Sequence, residues 1–372
     1  MEQLKQEIEK KKKKYEKALK EGGVALCWKL FEEEKYEWKY LKVNLAISGR
    51  TGTGKSSFIN AIMKKWTGRR PAKVGLTETT KICAGYAHPN NENIILWDLP
   101  GVGGTDFPQA SYLEKVNADV YDVFIIMTAG RFTEQDTWLG EVMQKRNIPV
   151  IFVRTKIGID VDNSKHDYPE KDESTVLDEV KADMLAKSSF VDSFGIFLID
   201  SHKPDEYEFS DLEKCIMEIL KEPKGQSLVF SVSRMSNKVV EKKVIELRKV
   251  IWKASATSFA LGLIPMLSAF TENAIVKSYA LFFVEQLGLD VQSLEQRAID
   301  PEKLNSVKRN VEEIIADIPR ITKRSVLVRI FQVLPIVGGH ISAHIVSSSL
   351  NEVLNRLHTI ALEAIAAFTD RG

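Results

Sequence analysis

Gly49, four intervening residues, then Gly54, Lys55 and Ser56 stand at a spacing that commits them to phosphate chemistry. The run reads Gly49, Arg50, Thr51, Gly52, Thr53, Gly54, Lys55, Ser56 and Ser57, directly behind the apolar stretch "VNLAIS". Glycines here let several backbone N–H groups turn toward a phosphate, and a helix starting behind them adds its positive end. Lys55 brings a mobile charge to the β- and γ-phosphates, and the Ser56 hydroxyl is a ligand for Mg2+. The bland alternative is a glycine turn that merely joins strand to helix; the full spacing in a strand–loop–helix setting argues against it.

A second element follows in "ILWDLPG", where Asp98 closes an apolar run and Gly101 comes three residues later. A carboxylate so placed reaches Mg2+ through water, and a glycine N–H there senses the γ-phosphate. Between the two elements lies "VGLTETTKICAGY". A nucleotide switch needs a threonine hydroxyl in such a segment to complete the Mg2+ shell, and Thr80 is the candidate, with Thr77 and Thr79 as neighbours that could substitute.

These residues need a scaffold. "LKVNLAIS", "NIILWD", "VFIIMTA", "PVIFVRT" and "GIFLIDS" are strand-length apolar runs, each followed by a helix-like segment, which predicts a mostly parallel sheet with helices on both faces over residues 41–223. Residues 1–40 read as a charged helical segment whose first helix, over residues 2–21, ends at Gly22 and Gly23; it is expected to pack with later helices. Its lysine run reads as a solvated face rather than a lipid-binding patch. Residues 224–372 show helical spacing and no convincing strand, predicting an all-α domain. Two uncharged runs there, Ala254–Thr271 and Phe331–Asn351, contain Pro265 and Pro335 and read as buried helical hairpins bent at proline rather than membrane spans; a peripheral membrane-contact surface stays open.

Bulk composition narrows the function. A formal charge of +1, from 52 basic and 51 acidic residues, supplies no global field for nucleic acid, so no nucleic-acid partner is expected. Three scattered cysteines form neither a disulfide framework nor a zinc site and suit a reducing cytoplasm. The charged start reads against a secretory signal peptide, and Glu2 stands where N-myristoylation requires glycine.

The loop "GRTGTGKSSFINAI", the switch stretch before "YAHP", and "WDLPGVGGTDFP", "SYLEKV", "YDVFIIMTAGRF" and "VRTK" together resemble the interferon-inducible immunity-related GTPases, in the branch with lysine in the phosphate loop. The resemblance runs from about residue 24 into the C-terminal helices and implies a Ras-like GTPase domain wrapped by a helical domain built from both chain ends. It implies binding of GTP and GDP with Mg2+, and dynamin-like, GTP-dependent self-assembly. Partners would be other copies of the chain, related GTPases and an intracellular membrane surface. The implied setting is cytoplasmic and peripheral to the endoplasmic reticulum, the Golgi or pathogen-containing vacuoles, in cell-autonomous defence. Interferon-induced expression is likewise only implied.

One position departs from the pattern. Family members read guanine with Asn or Thr, then Lys, any residue and Asp; this chain has Thr155, Lys156, Ile157 and Gly158. The family places Lys156 under the base and loop. Three readings of Gly158 stay open: Asp160 reaches the base by a shifted loop, GTP is held through its phosphates with weakened guanine selectivity, or useful nucleotide binding is lost. After "GIFLID", Ser201 and His202 could approach the base, although any strand-to-helix turn could look like this.

Hydrolysis raises a further question, because Val102 follows Gly101 where small GTPases carry the water-positioning Gln. A partner protomer is then expected to complete the site. Lys55, Thr80 and Glu78 are the catalytic candidates, and Glu78 and Arg131 the candidates for facing the partner; a surface salt bridge is the bland reading of each. The leading expectation is a dimerisation-dependent GTPase. The alternatives are a catalytically impaired nucleotide-binding scaffold or regulator of related GTPases, and an ATPase using the same loop.

Overall fold

The computed structural model describes residues 2–68, 72–74, 83–104, 106–186, 195–233, 235–262, 268–297, 300–323 and 335–369. Strands β1 Val43–Ser48, β2 Ala72–Val74, β3 Ala84–His88, β4 Asn91–Asp98, β5 Val123–Thr128, β6 Val150–Arg154 and β7 Ile196–Leu198 form one sheet in the order β2-β3-β4-β1-β5-β6-β7. β1 pairs in parallel with β4 and β5, and β6 in parallel with β5 and β7, while β3 lies antiparallel to both β2 and β4. Every residue of β5 and of β6 is buried, so both faces of the sheet centre are covered.

The helices are α1 Glu2–Lys35, α2 Lys55–Thr67, α3 Gln109–Lys115, α4 Glu134–Lys145, α5 Ile157–Asp167, α6 Glu173–Ala186 and α7 Phe209–Ile219. They continue with α8 Lys224–Ser231, α9 Asn237–Gly262, α10 Ser268–Gln286, α11 Val291–Arg297, α12 Pro301–Lys323 and α13 Pro335–Thr369. On one sheet face, Phe124, Ile126 and Phe152 pack with Tyr112 of α3 and with Leu139 and Met143 of α4. The parallel strands β1, β4, β5, β6 and β7 point their carboxyl ends to one rim, where ligands of open α/β sheets bind.

The chain divides into two compact units, Glu37–Arg234 and Met1–Tyr36 with Met235–Gly372. The expected boundaries near residues 40 and 223 therefore move outward. Side-chain chemistry explains the shift: Trp38 meets the Phe230 ring edge-on at 5.3 Å, and Asn91 donates to Ser231 Oγ at 3.2 Å, tying both flanks to the sheet unit.

In the helical unit, α1 is two helices joined where Gly23 adopts φ 63 and ψ −158. The second arm folds back along the first: Lys11 and Lys14 both reach Glu34, at 2.8 and 2.7 Å, and the Cys27 thiol donates to the Tyr15 carbonyl. Both arms pack with later helices, Lys11 bonding Thr257 and Lys35 bonding Ser278. Pro335 is the first residue of α13 rather than a bend inside a helix, a place where its missing N–H costs nothing. Pro265 lies outside the described residues. Among those residues, no helix is long and apolar enough to cross a membrane.

The unit also buries a charge-bearing group. Lys243 is 3% exposed and donates to the Gln286 carbonyl at 2.8 Å. Burial pushes its pKa down to about 7, Arg297 adds to the effect and Glu285 opposes it. Between about pH 7 and the unfolded-chain value near 10.4, the unfolded chain holds a proton that the folded one has released, so stability rises with pH across that window. Relative to Lys243→Met, the wild-type unit is expected to gain up to about 1.4 kcal/mol per pH unit as pH climbs from 7 to 9. Thermal melts of both proteins at a series of pH values check this; parallel pH profiles would refute it.

Candidate functional site

The loop after β1 keeps its shape because glycines fit where side chains do not. A Cβ on Gly49 would collide with the Met127 carbonyl oxygen of β5, and Gly52 and Gly54 both take φ 87. Thr53 closes the turn, its N–H and hydroxyl both donating to the Arg50 carbonyl at 3.2 and 2.9 Å. Helix α2 starts at Lys55 with no side-chain cap, which leaves its first N–H groups directed at the loop's concavity.

Three of the expected groups meet over this loop. Lys55 Nζ donates to the Gly49 carbonyl at 2.8 Å and stands 3.9 Å from Asp98 Oδ1. The Ser56 hydroxyl donates to Asp98 Oδ2 at 2.8 Å. Burial holds the Lys55 ammonium below the ordinary lysine range, and the Asp98 carboxylate opposes that shift. Gly101 lies against the same loop: a Cβ there would sit 3.1 Å from both Arg50 Cα and the Gly49 oxygen, closer than ordinary contact allows. Tyr112, which sequence reasoning did not single out, anchors this turn by donating to the Pro100 carbonyl at 2.8 Å, with Ser48 Oγ 2.9 Å from its hydroxyl.

A second cluster forms beyond β6 and β7. The Thr155 hydroxyl lies 2.7 Å from the Thr53 carbonyl and 3.1 Å from that of Thr128, coupling this cluster to the phosphate loop. Lys156 is exposed and left-handed at φ 58, and Gly158 is buried in the first turn of α5. Ser201 Oγ is buried with no hydrogen-bond partner, and His202 is exposed, its N–H bonded to Asp200 Oδ1 at 2.9 Å. Asp160 is paired with Arg154, a cation that the shifted-loop reading would require it to leave. Arg131 is exposed and pairs with Asp183 at 3.6 Å, the surface arrangement that its bland reading expected. Thr77, Glu78, Thr79 and Thr80 lie outside the described residues.

The residues present fit a nucleotide with Mg2+. The glycine cradle and free helix start suit phosphates, and the orphaned Ser201 hydroxyl beside the Thr155–Lys156 loop suits a polar base or sugar edge. One carboxylate beside one hydroxyl is a weak cation cage alone, but Mg2+ in phosphotransfer sites takes its remaining ligands from water and substrate phosphates.

Fold and site together define a phosphate-loop nucleotide-binding domain on a mostly parallel sheet; the second unit, made from both ends of the chain, is helical among the described residues. Such domains serve many chemistries, and comparison with known proteins narrows the class. The chain matches the interferon-inducible GTPase family (IIGP) over residues 8–353 and belongs to that family. It is 32% identical over 267 residues to interferon-gamma-inducible GTPase 10 of Mus musculus, covering 69% of this chain and 63% of that protein. It is 30% identical over 292 residues to interferon-inducible GTPase 1 of Mus musculus, covering 76% and 70% respectively. The chain thus spans under two thirds of the first relative's length and a little over two thirds of the second's. Among solved structures it is similar to Era in complex with MgGDPNP and a 16S ribosomal RNA fragment, at 18% identity and TM-score 0.32 over 60% of this chain and 68% of that one, too distant a likeness to bear on function.

Proposed function

We propose that this chain binds GTP and GDP with Mg2+ and hydrolyses GTP, with nucleotide state governing its self-assembly. The observation that carries the reading is the convergence of Lys55, Ser56 and Asp98 over one glycine loop, with Gly101 packed on its edge. Lys55 is held by a carbonyl it can exchange for phosphate oxygens, an exchange favoured by charge. Ser56 and Asp98 would hold Mg2+, the hydroxyl directly and the carboxylate through water; the bound ion would neutralise phosphate charge. Thr80 would complete that shell, and Thr155, Lys156 and Ser201 would frame the base.

Val102 brings no polar group to an attacking water, so a second protomer is proposed to complete the site across the nucleotide face, with Glu78 and Arg131 as candidates at that contact. Like copies and related GTPases are the proposed partners, and peripheral attachment to intracellular membranes in cell-autonomous defence belongs to the same reading. The support for these last points is the family to which the chain belongs.

The test is a competition titration of purified protein with GDP, GTP, XTP and ATP in Mg2+, followed by turnover measured across protein concentrations. Guanine nucleotides are expected to win by tenfold or more, and turnover per protomer to rise with concentration. A preference for ATP would make the chain an ATPase, and no binding at all would leave a scaffold.

A further inference from the structure

At position 158 this chain has glycine where its family pattern has a carboxylate, yet the structure brings a carboxylate to the same place from another loop. A Cβ built on Gly158 would stand 2.6 Å from Asp200 Oδ2 and 3.5 Å from the Tyr207 hydroxyl. A separation of that size is about what an aspartate has between its own Cβ and its own oxygens. Asp200 therefore puts an oxygen about as close to the Cβ position at 158 as an aspartate's own oxygens would stand.

The placement is built into the sheet. β6 and β7 pair in parallel, with Arg154 opposite Leu198, so the two loops leave the sheet side by side. The Ile199 N–H donates to the Arg154 carbonyl at 2.8 Å, and the Ile157 N–H donates back to the Ile199 carbonyl at 3.2 Å. Asp200 is only 9% exposed; its Oδ1 accepts from the His202 N–H, and its Oδ2 is the oxygen turned to Gly158. Asp160, the acidic residue nearer in sequence, is held by Arg154. Glycine leaves that carboxylate its place: a Cβ at 158 would force the Asp200 oxygen to shift.

We propose that Asp200 is the base-reading carboxylate of this chain, accepting the N1–H and N2–H of guanine from the loop after β7 in place of the side chain missing at Gly158. The proposal rests on the nucleotide reading above and adds the selecting residue to it. Guanine offers two adjacent donors to a carboxylate; adenine lacks that pair, and xanthine replaces the amine with a carbonyl. Asp200→Asn keeps the size and the acceptor for His202, but its amide can accept from xanthine N1–H and donate to the xanthine carbonyl.

The experiment is a titration of wild type and Asp200→Asn with GTP, XTP and ATP in Mg2+. Asp200→Asn is expected to weaken GTP by about 10- to 100-fold, the worth of a charge-assisted bond, and to strengthen XTP so that the preference inverts. An unchanged GTP-to-XTP ratio in a folded Asp200→Asn, beside a GTP-selective wild type, overturns this inference and leaves the nucleotide reading standing. A wild type that binds no nucleotide, or prefers ATP, overturns both. A second pair of variants decides the matter should Asp200→Asn not fold: Asp200→Ser is expected to lose guanine preference, and Gly158→Asp with Asp200→Ser to regain it by returning the carboxylate to position 158. Failure of the double variant to regain what the single one lost counts against the proposal.

Discussion

Lys55→Ala is expected to abolish GTP turnover and to weaken GTP binding by 100-fold or more, while the protein stays folded. The ammonium is the cation that the structure sets over the glycine loop, 2.8 Å from the Gly49 carbonyl and within 3.9 Å of Asp98. Each charge-assisted bond it makes to a phosphate oxygen contributes about 1.5 to 3 kcal/mol, and two such bonds account for the expected loss of affinity. Turnover suffers further, because a charge aimed at the group that transfers contributes about 10²- to 10³-fold in rate. The structural cost is smaller by comparison: the Gly49 carbonyl loses one donor at a part-buried site, about 1 to 3 kcal/mol. Lys55→Arg separates charge from shape, since a planar guanidinium keeps the charge but not the compact head that fits among these carbonyls. It is expected to bind far better than the alanine variant and still turn over slowly. Nucleotide titrations, single-turnover assays and a thermal melt of each variant give the three readouts. GTP affinity in Lys55→Ala within threefold of wild type would show that the loop does not hold the phosphates.

The phosphate half of this site was legible because its chemistry is local. Gly49 to Ser57 are contiguous, their spacing reports the turn, and "VNLAIS" announces the strand that feeds it. Asp98 was legible because a carboxylate ending an apolar strand stands out against its neighbours. β3 was not: "AGYAH" contains two alanines and a glycine, poor strand formers alone, and it is a strand because β4 offers it a partner. Helix α8 looked like the start of the helical domain, yet its apolar residues Leu228, Val229 and Phe230 are buried within the sheet unit. The role proposed for Asp200 was out of reach for a related reason. Its place beside Gly158 depends on the parallel pairing of β6 with β7, which brings together residues that are distant along the chain. The available signal was an aspartate directly before Ser201, the residue already taken as the start of the last base-contacting segment.

Gly158→Asp, the change that the sequence alone recommends to restore guanine reading, is expected to impair the protein instead. Its Cβ would arrive 2.6 Å from Asp200 Oδ2, so the Asp200 carboxylate must move from its place. Its carboxylate would then face another carboxylate that is 9% exposed. Like charges about 4 Å apart at an effective dielectric constant near 20 repel by about 4 kcal/mol, which a domain of ordinary stability cannot absorb without losing much of its margin. The pair can relieve part of this by keeping one proton, which raises the pKa of one carboxyl above its unfolded value near 4. A folded-state pKa that is raised means the folded variant binds more protons than the unfolded chain across that window, so its stability falls as pH rises through the raised pKa. The melting-temperature gap between wild type and Gly158→Asp is accordingly expected to be small at pH 5 and several degrees wider at pH 8. Adding Asp200→Ser removes both the crowding and the repulsion and should close the gap at either pH. A Gly158→Asp variant that melted like wild type at pH 8 and bound GTP more tightly would mean that the space beside Gly158 belongs to the base and not to Asp200.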